Sequence, residues 1–411
     1  MRVFLLPPPC LPVPAVQGGA VETLLDHLIL ENEKQGRLEL FCASVPNPEA
    51  QKIAASFKHT KMIYLPPTAP EKRRLWGPVC GALRRMGQPA PLDPWYNRVL
   101  REIRRARPNF VVAEGGNVTE AAAISKAVGR NRMLAHLHMQ TACTPELEEI
   151  FGGVLSISCF VDSAWTPTRP MAKQLVFNCV DNSIFCTKDQ PEQRQALRAE
   201  LGYTPEDFVV IFCGRICPEK GVHRLVEAVR LCQDPHVKLL VVGSPFFAAE
   251  DSSPFFDKLK ADAAVLQQEG RIKFTGFVPN PQLPDYYRAA DCACLPALWD
   301  EPAGITAIEA MACGCPIIAT NSGGMPEYLA GSNAILLERD ERITDDGILQ
   351  EVPGAEPLVP AIVQALEKLK AEPARRELMS LAGSIRSQSF TRESYYSQFC
   401  AALQYIAASR Q

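Results

Sequence analysis

Short apolar runs alternate with helical patterns through the second half of this chain. The apolar runs are FVVIFCG, VKLLVVG, RIKFTGF and CACLP, and between them lie segments with helical spacing such as EKGVHRLVEAVRLC and PQLPDYYRAAD. This alternation is typical of a parallel sheet wrapped by helices, and VKLLVVG is apolar almost throughout, as expected of a strand covered on both faces. We therefore expect a doubly wound α/β domain with its binding edge at the carboxyl ends of the strands.

The first half repeats the same scheme. Its strand-like runs are RVFLL, LELFCAS, KMIYLP, FVVAEG, RMLAHLH and VLSISCF, and helices are predicted at 19–34 and 118–128. Near 178–192 the periodicity gives way to polar and turn residues, which indicates a linker. Helices are predicted again at 357–371 and 373–387, and an amphipathic segment without a following strand ends the chain.

The length of 411 residues is too great for one core and suits two of about 200 residues each. We predict an N-terminal domain over 1–185, joined by the C-terminal helix 391–411. A C-terminal domain is predicted over 186–390.

The charge distribution is uneven along the chain. The net charge is −3, yet between Glu71 and Arg107 there are ten basic residues against three acidic ones. This basic stretch, residues 72–107, could contact an anionic membrane surface, bind an acidic acceptor, or be a solvated helix face, the last being the default. No apolar run reaches the length of a membrane span or resembles a signal peptide. We expect a cytoplasmic protein, with peripheral contact at the inner face of the membrane as an open alternative, and no nucleic-acid partner.

Two carboxylates lie eight positions apart in the segment WDEPAGITAIEAMACGCPIIAT. The segment reads as a loop that runs into a helix, with Gly304, Ile305 and Thr306 as the first helical positions. Their N–H groups would have no partner within the helix and would point at an anion such as a diphosphate. Glu309 would lie roughly 7 Å further along the helix axis, the reach from a phosphate to its ribose hydroxyls. Glu301, still in the loop, would lie near the other end of the ligand.

Two cations follow the strand FVVIFC in the segment GRICPEKG. Arg215 can form paired hydrogen bonds with a phosphate, and Lys220 adds a compact charge. Together they could neutralise a leaving diphosphate, although surface charge at a strand end is an alternative reading. Gly214 begins this loop, and a helix is predicted to start at about Glu219.

A glycine pair, Gly18 and Gly19, follows the first strand and its proline-rich loop. The pair permits close backbone approach to a ligand, but a simple turn before a helix is the commoner meaning.

Two histidines alternate in RMLAHLHMQ, so His136 and His138 share one strand face. His138, nearer the edge, is the better candidate for a hydrogen bond to a sugar hydroxyl, although a satisfied core histidine is the common outcome. A metal site would need three or four ligands, and the sequence shows no carboxylate or third histidine nearby at suitable spacing. We therefore predict no metal.

The combination of these motifs resembles the retaining GT-B glycosyltransferases of the family-4 type (glycosyl transferases group 1). The matching parts are GRICPEKG, GFVPNPQLPDYYRAAD, EPAGITAIEAMACGCPIIAT, NSGGMPE and the interdomain NCVD, all in the family's order. The resemblance implies the GT-B fold, in which two Rossmann-like domains face across a cleft. It also implies metal-independent transfer of a sugar from a nucleotide-diphosphate donor to a hydroxyl acceptor, with polysaccharide or cell-surface glycan synthesis as the typical setting. By the same resemblance, the C-terminal domain over 186–390 is expected to bind the nucleotide-sugar and the N-terminal domain over 1–185 to bind the acceptor.

The resemblance also implies roles for particular residues. Arg215 and Lys220 match the pair on the donor phosphates, Glu309 the carboxylate on the ribose, and Glu301 the carboxylate facing the donor sugar. His138 aligns with the histidine near the transferred sugar. Gly18 and Gly19 align with the N-terminal glycine loop over the phosphates. A UDP- or GDP-sugar is the expected donor, with no further cofactor. Two departures stand out: Ala303 replaces a frequent aromatic, and Cys179 replaces the glycine of NGVD.

Three other classes of protein remain to be weighed. A sugar-nucleotide epimerase would need paired acid and base residues, and the sequence shows no carboxylate near His138. A phosphorylase would need a lysine for pyridoxal phosphate. A non-catalytic sugar-nucleotide-binding protein would have no reason to keep Arg215, Lys220, Glu301 and Glu309 together.

Overall fold

The computed structural model describes residues 1–86, 93–188, 190–245 and 252–409. The chain forms two compact units, one of residues Met1–Asn178 with the C-terminal segment from Arg392, the other of Cys179–Thr391. The predicted domain boundaries lay at 185/186 and 390/391, seven residues later and one residue earlier than these divisions.

The N-terminal unit is built on a seven-stranded parallel sheet. In spatial order its strands are β3-β2-β1-β4-β5-β6-β7. Their bounds are β1 Arg2–Leu6, β2 Glu39–Ser44, β3 Thr60–Tyr64, β4 Phe110–Ala113, β5 Met133–Leu137, β6 Gly153–Ser156 and β7 Ala172–Leu175. The central strands β1 and β4 are buried along nearly their whole length, as expected when helices cover both faces of a sheet.

Helices connect these strands, and several begin at a side-chain cap. They span Ala20–Gln35, Pro48–Ala54, Pro70–Arg85, Pro94–Ala106, Val118–Val128, Pro145–Ile150 and Cys159–Ala164. Asn117, for example, accepts a hydrogen bond from the N–H of Thr119 and so starts the helix Val118–Val128. The C-terminal helix Arg392–Ala408 also belongs to this unit, where the hydroxyl of Tyr396 donates to Asn32 Oδ1 at 2.5 Å.

The C-terminal unit contains a six-stranded parallel sheet of the same winding. Its order is β10-β9-β8-β11-β12-β13. The strands are β8 Phe208–Cys213, β9 Val237–Val242, β10 Ile272–Gly276, β11 Cys292–Leu295, β12 Ile317–Thr320 and β13 Ile335–Leu337. A small antiparallel hairpin, β14 Glu341–Ile343 with β15 Leu349–Glu351, follows.

The helices of this unit cover the sheet with apolar side chains. They span Pro191–Glu200, Val222–Leu231, Pro254–Asp262, Ala264–Gln268, Leu283–Ala289, Ile305–Ala312, Met325–Leu329, Leu358–Ala371 and Pro373–Ser387. The core joins strand residues such as Val210 and Leu239 to Leu225 and Leu366 of the helices, all fully buried. This packing holds the ends of β8 and β11 in place.

Most predicted elements are confirmed, and the differences concern loops, edges and one interior strand. The helices Val118–Val128 and Pro373–Ser387 have the predicted bounds. The helix predicted to open at Glu219 begins instead at Val222, because Pro218–Lys220 forms a single 3-10 turn. The interior strand β12, the edge strands β7 and β13 and the hairpin β14-β15 were not predicted.

The basic stretch 72–107 consists mainly of two helices, Pro70–Arg85 and Pro94–Ala106, and its residues 87–92 lie outside the described residues. Trp95 and Tyr96 are buried, and the Trp95 indole N–H donates to the carbonyl of Leu65 at 3.0 Å. Arg101, Arg104 and Arg105 are exposed. In the second helix these aromatic residues therefore belong to the core, and the arginines form a solvated face.

Within the described ranges, no helix combines the length and the apolar character needed to cross a bilayer.

Candidate active site

Both sheets reverse their strand order at one point, and the candidate residues lie there. In the N-terminal unit the reversal is between β1 and β4, and in the C-terminal unit between β8 and β11. Ligands of doubly wound sheets bind outside the carboxyl ends of the strands at this position. The loop with Gly18 and Gly19 follows β1, and the loop with Arg215 and Lys220 follows β8. Each unit therefore carries its candidate residues at its own switch point.

The loop after β8 packs closely against the loop after β11. Gly221 adopts φ 68°, and a Cβ atom at this position would lie 1.8 Å from the carbonyl oxygen of Pro296. The Leu298 N–H donates to the carbonyl of Glu219 at 2.8 Å. Only glycine permits this approach, because it lacks a Cβ and tolerates positive φ. The contact places Lys220 beside the segment that carries Glu301.

Lys220 and Glu301 form an ion pair. Lys220 Nζ lies 2.5 Å from Glu301 Oε1, and the Glu301 side chain is only 8% exposed. The lysine ammonium also lies 5.0 Å from the centre of the Trp299 ring. The sequence predicted both charges as site residues but not their direct contact. A ligand that approaches Glu301 would meet a carboxylate held in place by a cation.

The two glycines of the NSGGMPE segment, residues 321–327, contact the backbone of Glu301. Gly323 has φ 52°, and a Cβ there would approach the Glu301 carbonyl oxygen to 2.3 Å. The Gly324 N–H donates to that same oxygen at 2.7 Å. The motif therefore acts on the loop of Glu301 through the main chain, which positions the carboxylate without contributing a side chain.

The helix that follows Glu301 begins one residue later than predicted. Gly304 is its N-cap, with φ −106° and ψ 60°, and the helix spans Ile305–Ala312. The expectation that Gly304 is the first helical residue was therefore wrong. Ile305 and Thr306 are the first two helical residues, and their N–H groups have no acceptor within the helix. This helix start is suited to an anion, as the sequence indicated.

Glu309 lies inside the unit and is hydrogen-bonded to a tyrosine. The Tyr287 hydroxyl donates to Glu309 Oε2 at 2.9 Å, and both side chains are buried. Burial raises the pKa of Glu309 to about 7, and the hydrogen bond from Tyr287 opposes this only in part. Burial also raises the pKa of Tyr287 well above its usual value. Tyr287 was not among the predicted site residues, and its helical segment contains no signal that would have singled it out.

The remaining cation of the site is free to bind a ligand. Arg215 is exposed, and its guanidinium makes no hydrogen bond or ion pair with any residue that the structure describes. Gly214 precedes it with φ 144°, a conformation that glycine adopts readily. Arg215, Lys220, Glu301 and Glu309 therefore occur on neighbouring loops and one helix of a single unit.

The glycine pair of the N-terminal unit forms a tight turn into a helix. Gly18 and Gly19 have φ 79° and 96°, and Gly19 is the N-cap of the helix Ala20–Gln35. A Cβ on Gly19 would lie 2.2 Å from Glu22 Oε2. Burial raises the pKa of Glu22. Gly18 and Gly19 are partly buried, and the carboxyl nearest to the turn comes from its own helix.

A carboxylate missed by the sequence argument lies between the two histidines. Glu114 Oε2 is 2.8 Å from His138 Nε2 and 2.8 Å from His136 Nδ1. Glu114 directly follows β4, at the switch point, so its place at a strand end was the available signal. The two histidines hold the pKa of Glu114 at about 2 although burial alone would raise it, and burial with His136 lowers the pKa of His138. The statement that no carboxylate accompanies this pair was therefore wrong.

Comparisons with known proteins agree with this architecture. Residues 193–372 match the family described as glycosyl transferases group 1. YtcC of Bacillus subtilis (strain 168) is 27% identical over 333 residues, covering 78% of this chain and 74% of that protein. The D-inositol 3-phosphate glycosyltransferase of Segniliparus rotundus is 38% identical over 224 residues, covering 54% of this chain and 45% of that enzyme. Among solved structures, Anabaena HepE in complex with UDP and glucose has a TM-score of 0.72 at 20% identity, covering 98% of this chain and 100% of that one.

The fold and the comparisons together define the class of the protein. The chain has the GT-B fold, with two Rossmann-like parallel-sheet units of seven and six strands. Its C-terminal unit contains a glycosyl transferases group 1 domain, and the protein is a glycosyltransferase.

Proposed function

We propose that the protein is a retaining glycosyltransferase that moves a sugar from a UDP-sugar to a hydroxyl acceptor, without a metal or other cofactor. The observation that carries this proposal is the arrangement in the C-terminal unit. There the helix start at Ile305, the buried carboxylate of Glu309 and the Lys220–Glu301 pair lie along one short segment and the loop packed against it. These groups match the diphosphate, the ribose and the sugar of one extended ligand.

Each part of the donor has a chemically suitable partner. Backbone N–H groups at a helix start bind a diphosphate, and Arg215 and Lys220 add positive charge. An ionised Glu309 accepts hydrogen bonds from the two ribose hydroxyls. The hydrogen bond that Tyr287 donates to Oε2 fixes the orientation of this carboxylate. Glu301, held by Lys220 and by the Gly323–Gly324 turn, accepts hydrogen bonds from hydroxyls of the sugar.

In the proposed reaction the bond between the anomeric carbon and the diphosphate oxygen breaks. The acceptor oxygen bonds to the same face of that carbon, and the acceptor proton passes to the leaving phosphate oxygen. Negative charge therefore grows on the diphosphate in the transition state, where Arg215 and Lys220 stabilise it. This requires no metal, because the two cations provide the neutralisation.

Uridine is the base we favour. HepE was solved with UDP and with UDP-glucose, and its fold covers nearly the whole of this chain. A GDP-sugar is the second candidate. We assign the acceptor to the N-terminal unit, where His138, Gly18 and Gly19 are the candidate residues. We propose that the reaction takes place in the cytoplasm, with the exposed arginines after Trp95 available to an anionic surface.

Thermal-shift measurements with UDP, GDP, ADP and their sugars test the donor, because a ligand that binds only the folded state raises the melting temperature. UDP and UDP-glucose should give the largest shifts, and Glu309→Ala should abolish them while Lys258→Ala, an exposed residue, should not. Release of UDP from UDP-glucose should persist in EDTA. A protein that binds none of these nucleotides, or that needs a divalent metal for turnover, would contradict the proposal.

The Glu114–His138 contact keeps one alternative open. An epimerase needs an acid and a base near the sugar, and this pair provides both. An experiment can distinguish a transferase from an epimerase. NMR of the sugar nucleotide after incubation without an acceptor should show only UDP-glucose and its hydrolysis products, whereas an epimerase would yield the epimeric sugar nucleotide.

A further inference from the structure

The cluster of Glu114, His136 and His138 has unused bonding capacity in the interior of the N-terminal unit. Glu114 Oε1 and His136 Nε2 are buried and make no hydrogen bond with any residue that the structure describes. His136 Nδ1 lies 2.8 Å from Glu114 Oε2, within ion-pair distance. Buried polar atoms normally find a partner. Two unpartnered atoms in one buried cluster indicate that it can bind a further partner.

The three side chains offer the ligand set of a transition-metal site. Their ligand atoms all lie within 4.8 Å of one another. Two imidazoles and one carboxylate, with a fourth position open, form the same set that holds catalytic zinc in several enzyme classes. We infer that Glu114, His136 and His138 form a binding site for a divalent transition metal, with zinc as the best match.

Two of the three separations between the ligand atoms are shorter than zinc requires. In a tetrahedral site with bonds near 2.1 Å, ligand atoms lie about 3.4 Å apart. The carboxylate oxygen is 2.8 Å from each imidazole nitrogen, so these atoms must move apart by about half an ångström. The third separation, between the two imidazole nitrogens, is at most 4.8 Å, so the imidazoles must approach by up to about 1.4 Å.

A route for the metal exists on the side of His138. Its side chain is 14% exposed, whereas those of Glu114 and His136 are almost completely buried. A metal would therefore reach the site past His138. Since His138 is the residue assigned to the transferred sugar, bound zinc would withdraw it from that role and inhibit transfer.

This site does not depend on the proposed reaction. Metal binding involves only three residues of the N-terminal unit and can be measured without a donor or an acceptor. A protein without transfer activity could therefore still bind the metal, and a protein that does not bind the metal could still bind the donor.

The test is isothermal titration of the full-length reduced protein with Zn²⁺, accompanied by Co²⁺ absorption spectroscopy. We expect one tightly bound zinc per chain in the wild type. Affinity should fall at least about tenfold in His138→Ala and in Glu114→Gln, since each removes one ligand. His136→Ala should behave in the same way, and the partly exposed His138 provides the variant that least disturbs the core. The Co²⁺ complex should show d–d bands of nitrogen and oxygen ligation.

Two matched controls separate this site from other zinc ligands. His59→Ala removes an exposed histidine of the same unit, and Cys10→Ser removes an exposed thiol, so both should bind zinc like the wild type. Unchanged affinity in all three cluster variants, a thiolate charge-transfer band with Co²⁺, or no stoichiometric binding would overturn the inference. In the last case the cluster serves only to orient His138.

Discussion

The Tyr287 hydroxyl donates to Glu309 Oε2 at 2.9 Å in the interior of the C-terminal unit. This contact joins the helix Leu283–Ala289 to the helix that carries the candidate ribose carboxylate. Burial raises the pKa of Glu309 to about 7, so the free protein holds this group near the middle of its titration at neutral pH. Donor binding and stability should both depend on pH through this one residue.

Donor affinity should increase as the pH rises through 7. Only ionised Glu309 can accept hydrogen bonds from both ribose hydroxyls, and with a pKa of about 7 the ionised fraction grows roughly tenfold between pH 6 and pH 8. The affinity for UDP-glucose, measured by calorimetry, should grow by up to about the same factor. Glu309→Gln should bind more weakly and without this dependence. A wild-type affinity that stays constant from pH 6 to 8 would argue against the ribose role.

Stability of the unliganded protein should change in the opposite direction. Because the folded pKa of Glu309 exceeds its unfolded value of 4.5, folding favours the protonated form. The resulting stability is complete below pH 4.5 and is lost as the pH rises from there to about 7. Glu309→Gln should therefore raise the free energy of unfolding by about 1–3 kcal/mol at pH 8 and by little at pH 5. Urea denaturation at the two pH values measures this, and an equal effect at both would contradict it.

Arg215 should contribute to turnover more than to donor binding. Its exposed guanidinium is free to contact the leaving diphosphate, whose negative charge grows only in the transition state. Arg215→Ala should lower kcat by about 10²–10³ and change the affinity for UDP-glucose much less. Lys258→Ala removes an exposed cation from a helix of the same unit and serves as the control. A loss confined to KM would assign Arg215 to ground-state binding instead.

Much of this site was accessible from the sequence, for a physical reason. Arg215, Lys220, Glu301 and Glu309 follow strongly apolar strands or occupy a helix, and strand ends at the switch point are where doubly wound sheets bind ligands. The sequence could not show contacts between side chains distant along the chain. Tyr287 reaches Glu309 across 22 positions, and Glu114 reaches His138 across 24, because the sheet places their elements side by side.

Local backbone conformation could also be predicted only in part from the residue pattern. The GRICPEKG loop reads as a helix start, yet it forms a 3-10 turn because Gly221 must take φ 68° for the loop to pass against Pro296. The edge strands β7 and β13 lack the long apolar runs that marked the central strands, because β7 contains two polar residues among four and β13 is only three residues long. Close approach between two loops is a tertiary constraint that the spacing of apolar residues does not report.

Lys220→Ala should destabilise the protein as well as lower its rate of sugar transfer. The substitution leaves the carboxylate of Glu301, which is 8% exposed, without its partner at 2.5 Å. Such an uncompensated buried charge costs about 1–3 kcal/mol or more. The double variant Lys220→Ala, Glu301→Gln should recover part of the lost free energy of unfolding, because the neutral amide needs no counter-charge. Additive losses in the double variant would mean that the two residues are not coupled.

The close approach at Gly221 allows a matched comparison of two glycines. Gly221 and Gly270 have nearly the same φ angle, 68° and 64°. Alanine at either position adds a strained positive φ, worth roughly 1 kcal/mol. At Gly270 the new Cβ meets no atom within 4 Å, whereas at Gly221 it lies 1.8 Å from the backbone oxygen of Pro296.

Gly221→Ala should therefore lose at least about 2 kcal/mol more stability than Gly270→Ala, because backbone atoms must move to admit the methyl group. Those atoms belong to the loops of Lys220 and Glu301, so Gly221→Ala should also lower transfer activity while Gly270→Ala leaves it near the wild-type level. Denaturant unfolding and UDP release, measured on both variants, separate the two effects. Equal stability losses would mean that the loops yield easily, and the geometry of Lys220 and Glu301 would then not depend on glycine at this position.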